Sequence, residues 1–150
     1  MDRFQAENVS LQRVVIAREF TRADIVFYGV EHKGDSFEAL VFLNAPEATL
    51  DTPLEVDEGF AGSFVVFGHA GCFGDKGHCH VPSHRDPFDS RPPHGLTPQT
   101  KMVEVTDALK HPRCAGDTLT ITVLPVVPDR EQATQADVLF FTGLRLLSYR

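Results

Sequence analysis

A chain of 150 residues has the size of one domain, and a domain of that size buries roughly 70% of its unfolded surface, so a core can form without staples. Hydrophobic residues make up 42% of the sequence, with 12 Phe and no Trp, which excludes a disordered polar chain. Fourteen basic against 21 acidic residues give a net charge of −7, which argues against nucleic acid or an anionic membrane surface as partner and leaves cations as the more natural guests.

No run approaches the roughly 20 apolar residues of a membrane span. Asp2 and Glu7 fall where a signal peptide needs an apolar core, so a soluble chain is expected. Residues 1–10 read as a flexible N-terminal arm, and residues 11–20 as an irregular edge-strand candidate. Residues 24–30 and 36–44 carry the period-two apolar spacing of strands, and Gly34-Asp35 between them predicts a hairpin. Residues 60–67 form a further strand. Residues 101–105 do so as well, and 106–110 suit a single helical turn capped by Thr106 ahead of Pro112. In residues 118–123 the pattern is clearest: Leu119, Ile121 and Val123 point inward and three threonines line the wetter face. Residues 137–149 close the set. Short strands with turn residues between them predict an all-β fold, a two-layer antiparallel β-sandwich with one long Cys/His/Gly/Pro-rich loop, formed by residues 1–150 as a single domain.

That loop, residues 68–100, holds five of the seven histidines, two of the three cysteines and five of the ten prolines. Ordered loops of such length are commonly functional. His69, Cys72, His78, Cys79 and His80, with Asp75, fall within twelve residues. Thiols and imidazoles suit copper, with zinc as the alternative, and Gly71, Gly74 and Gly77 let the backbone curl them together. The spacing is not that of a zinc finger. Consecutive His78, Cys79 and His80 cannot all face one way on extended backbone, so at most two of them would join His69 and Cys72. The competing reading is a Cys72–Cys79 disulfide with hydrogen-bonded or exposed histidines. An i, i+4 spacing links His80 and His84, but Pro82 breaks the helix it would need. His94, His111 and Cys114 read as turn or packing residues, and Glu55, Asp57 and Glu58 as a solvated acidic loop. No nucleophile elbow surrounds Ser63, and no phosphate-binding glycine loop occurs.

The order of segments resembles a known family. Ala-Asp-Ile-Val-Phe-Tyr-Gly-Val at 23–30, Phe-Glu-Ala-Leu-Val-Phe-Leu-Asn at 37–44 and Phe60-Ala-Gly-Ser-Phe64 ending at Gly68-His69 are similar to the C-terminal domain of plant polyphenol oxidases and related hemocyanins, which are type-3 copper proteins. Val105 to Leu109, Leu119 to Pro125 with Val126 and Pro128, and Val138 to Tyr149 continue in register, so the resemblance covers residues 11–150.

The resemblance implies a β-sandwich lying against a separate tyrosinase-like helical oxidase domain, whose own histidines hold the dicopper site. Those histidines project from helices of a bundle, whereas the ones here lie in a Pro- and Gly-rich loop. No oxidase ligand is therefore carried over, and no catalytic residue is expected. The resemblance implies two roles: shielding of the dicopper site, for which Phe73 is the candidate side chain against the alternative that it packs inward like most of the 12 phenylalanines, and copper loading through Cys72, Cys79 and the nearby histidines. A free-standing structural or interaction domain is the alternative. A mononuclear metalloenzyme is the third reading, without an evident open coordination position.

Overall fold

A computed structural model describes residues 3–70, 75–90, 94–128 and 137–150. Seven strands are present among them: β1 (Phe4–Ser10), β2 (Arg22–Val30), β3 (Phe37–Leu43), β4 (Phe60–Val66), β5 (Gln99–Glu104), β6 (Thr118–Val126) and β7 (Gly143–Tyr149). Two short helices, α1 (Arg13–Ile16) and α2 (Thr106–Lys110), sit between strands. Sheet A runs β1-β6-β3-β4 and sheet B runs β5-β2-β7, with every neighbouring pair antiparallel. The two sheets pack as the expected all-β sandwich. No described helix is long and apolar enough to cross a membrane.

Strand periodicity builds the core. Ile25 and Phe27 of β2 point inward beside Val103 of β5 and Leu146 and Leu144 of β7, while Leu119, Ile121 and Val123 of β6 meet them from sheet A. Phe27 is fully buried and stands 4.8 Å from the Phe64 ring across the sandwich and 5.3 Å from Phe141. Burying one such side chain stabilises the fold by roughly 1.5–3 kcal/mol. In the Ala-Gly-Ser-Phe run, Gly62 has φ of 137°, and a Cβ there would come 2.7 Å from Val103 Cγ1. Glycine is required where β4 crosses so close to β5.

Several expectations are corrected. Residues 24–44 are not a hairpin, because β2 lies in sheet B and β3 in sheet A. The connection arches from one layer to the other, so that Phe27 and Ile25 face β3 across the core instead of lying beside it. The stretch read as a flexible arm contains β1, whose Phe4 pairs with Val123 and packs edge-on to Phe141 at 4.7 Å. Residues 11–20 hold α1, with Leu11, Val15 and Phe20 buried, in place of an edge strand. The strand expected over 137–149 is confined to β7.

β3 does not alternate. Phe37, Ala39, Val41 and Leu43 enter the main core, while Leu40 and Phe42 are buried on the outer face with Ala45, Ala48 and Leu124, because residues 44–59 fold over that face. Thr122, expected on the wetter face, is fully buried in the same outer row. Thr106 does not cap α2. Its hydroxyl accepts from the Ala23 amide at 3.0 Å and donates to Glu104 Oε1 at 3.1 Å, tying the helix to sheet B.

Candidate functional site

The long connection between β4 and β5 frames an open cleft of about 780 Å³, whose walls include Asp35, Ser36, His69, His78, Cys79 and His94. Its floor is set by the arch between β2 and β3. At Gly68 a Cβ would run into the Gly34 carbonyl oxygen and the Asp35 backbone, so only glycine lets the end of β4 lie against the arch. The Gly68 amide donates to Ser36 Oγ at 2.9 Å.

One residue fastens both ends of the loop. The His69 amide donates to the His32 carbonyl at 2.9 Å, and the His32 ring donates through Nε2 to the Thr97 carbonyl at 3.0 Å. His32 is buried, and its ring meets the His69 ring edge-on with centroids 5.5 Å apart. Donation to a carbonyl fixes the proton on Nε2. His94 ties the middle in the same manner: its Nε2 donates to the His78 carbonyl at 3.0 Å, and its Nδ1 accepts from the Leu96 amide at 3.1 Å. Both ring nitrogens are thus spent on backbone.

Of the predicted ligand set His69, Cys72, His78, Cys79 and His80, the structure brings His69, His78 and Cys79 to the cleft wall. His80 is exposed, and its amide closes a turn onto Gly77 at 3.0 Å. Cys72 and Phe73 lie outside the described residues. Cys79 is disulfide-bonded, so its sulfur offers no thiolate. Among the described residues no three His, Cys, Asp or Glu side chains are gathered closely enough to hold a metal. The described donors therefore do not fit a dicopper centre.

The remaining candidates have structural partners. His111 donates through Nε2 to Asp57 Oδ1 at 3.0 Å and accepts the Arg113 amide on Nδ1 at 3.2 Å, joining the 3₁₀ turns at Val56–Glu58 and Pro112–Cys114. Cys114 is a buried free thiol whose pKa burial pushes up to about 11, which keeps it protonated and unreactive near neutrality. Ser63 Oγ donates to Glu38 Oε1 at 2.6 Å. Among the described residues no imidazole is hydrogen-bonded to that pair.

Sequence reasoning missed His32, Gly68 and the Asp35-Ser36 wall. The available signal was His32 standing just ahead of Gly34-Asp35, a position first read as part of a local turn.

No protein-family model matches the chain, and no curated protein matches it. Among solved structures, the chain is similar to recombinantly expressed latent aurone synthase (polyphenol oxidase), with a TM-score of 0.56, 13% identity, and coverage of 99% of this chain but 24% of that one. The same protein from its natural source gives a TM-score of 0.56, 13% identity and the same coverage. The likeness is one of fold, and this chain spans about a quarter of the length of the chains it matches, 24%.

Proposed function

We propose that this chain is a non-catalytic companion or C-terminal shielding domain of a tyrosinase-like copper oxidase. The carrying observation is the fold likeness over 99% of this chain to 24% of a polyphenol oxidase chain. The segment order read from the sequence supports the same assignment independently. On this reading the catalytic chemistry belongs to a helical oxidase domain, and the sandwich covers its dicopper site or assists its loading with copper. A loading role for the cleft would use the His69 and His78 imidazoles, together with thiolates released when the disulfide at Cys79 is reduced. Zinc in place of copper is the alternative metal.

The test is to mix the purified chain with a polyphenol oxidase domain lacking its own C-terminal part, then measure binding, copper uptake and phenol oxidation. Binding with altered loading or rate is expected. No binding and no effect would sink the proposal.

A second reading has its own observation. Because Cys79 is disulfide-bonded and His32 and His94 spend their rings on backbone, the loop also suits a free-standing structural or interaction domain closed by Cys72–Cys79. Mass spectrometry of the unreduced and reduced protein locates that bridge. Elemental analysis after copper loading then separates the readings, since a purely structural domain retains no stoichiometric metal.

A further inference from the structure

The two sheets treat their outer faces differently. Part of sheet A's outer face is covered by residues 44–59, which complete a second apolar cluster with Leu40, Phe42 and Leu124, while Val65 at its β4 edge stays 46% exposed. The outer row of sheet B contributes to neither apolar cluster.

Cross-strand pairing defines that row. Val26 lies between Met102 and Arg145, Asp24 between Glu104 and Leu147, Arg22 opposite Tyr149, and Tyr28 opposite Gly143. Paired residues share a face, and the Arg145 guanidinium stands 5.8 Å from the Tyr28 ring centroid on it. In an antiparallel sheet facing water these positions should alternate to polar side chains. Instead the face carries both tyrosines of the chain, together with Met102, Val26 and Leu147. Met102 is 54% exposed and Tyr149 44%, while Val26 at 6% is already nearly dry. Asp24 is 1% exposed and held by Arg22 Nε at 2.9 and 3.0 Å.

Tyrosine, methionine and arginine around a dry centre are the composition of a protein interface. Charge points the same way. Two arginines, Arg22 and Arg145, face two carboxylates, Asp24 and Glu104, so the row is balanced in a chain whose net charge is −7. A balanced, half-apolar row suits a large protein surface better than a cation or a nucleic acid.

We propose that the outer face of sheet B, centred on Val26, Tyr28, Met102, Leu147 and Tyr149, is the surface that docks the helical oxidase domain. This rests on the companion-domain reading above. The occupant is argued from the proportions of the match: the similar part is 24% of a solved chain, so an oxidase unit about three times larger shares the polypeptide and needs a face to pack on. Residues 44–59 already occupy the middle of sheet A's outer face, whereas no described segment adds an apolar cluster over the outer row of sheet B.

The experiment measures the affinity of the full chain for a polyphenol oxidase domain lacking its C-terminal part, by calorimetry. Wild type is compared with Met102→Lys, Tyr149→Lys and the off-face control Phe88→Lys, whose ring is 94% exposed. Thermal melts confirm that each variant folds. At least about tenfold weaker binding of Met102→Lys and Tyr149→Lys, with Phe88→Lys unchanged, is expected. Tight binding that ignores the two face variants would overturn this surface while leaving the companion reading intact. If wild type ignores the oxidase domain but sediments as a dimer that Met102→Lys dissociates, the occupant is a second copy and the proposal is wrong. A monomer that does not bind removes the companion reading, and this surface with it.

Discussion

Two long connections of this sandwich differ in how much apolar surface helps to hold them. Residues 44–59 combine burial with polar ties: Ala45 and Ala48 join Leu40, Phe42 and Leu124, the Asn44 side chain bonds the Arg113 carbonyl at 3.0 Å and the Thr120 amide at 2.7 Å, and His111 and Arg113 hold Asp57. The segment between β4 and β5 buries little apolar surface among its described residues, Leu96 being its one buried hydrophobic. It is held by His32, His94, the Ser36 hydroxyl and the disulfide at Cys79. Burial is non-directional and spread over many atoms, whereas a hydrogen bond is directional and a disulfide answers to reductants. The first connection carries part of the core with it, and the second is a strap with little core of its own.

The largest effect should come from breaking the buried connection. Phe42→Ala removes a fully buried ring beneath residues 44–59 and should cost about 3–5 kcal/mol in urea unfolding. Hydrogen exchange should speed over 44–59 while the strap keeps its protection. His32→Ala should cost less, about 1–3 kcal/mol, because it leaves the Thr97 carbonyl without its ring donor. Limited proteolysis should then cut sooner within 67–98 and no sooner within 44–59; equal loosening of both would erase the distinction drawn here. The smallest effect belongs to Thr122→Val. The Thr122 hydroxyl is buried without a hydrogen-bond partner among the described residues, so an isosteric methyl should leave stability unchanged or raise it by about 1 kcal/mol in the same urea assay. A clear loss would mean that the hydroxyl has a partner.

The sandwich was legible because its strands are punctuated by turn residues and keep period two over most of β2 and β6. The layer assignment was not. Gly34-Asp35 carries the same local signal whether a chain reverses beside itself or arches over a core, and the choice is made by non-local pairing of β2 with β5 and β7. β3 departs for a related reason: period-two spacing predicts one buried face, and residues 44–59 bury Leu40 and Phe42 on the other as well. At the site, the crowding of His69, Cys79 and His78 was visible in the sequence, but the anchor was not. His32 lies 37 positions before His69 and 65 before Thr97, and nothing local announces that one histidine ties both.

The strand pairing also sets an order in time. β2 cannot complete sheet B until β7 exists, since Arg22 pairs with Tyr149, and β1 waits for β6 in the same way. A ribosome must therefore release almost the whole segment before either sheet can close, and contacts so distant in sequence form slowly. During synthesis the apolar faces of β2 and β3 stay open together, so a chaperone would be met before the native partner strands arrive.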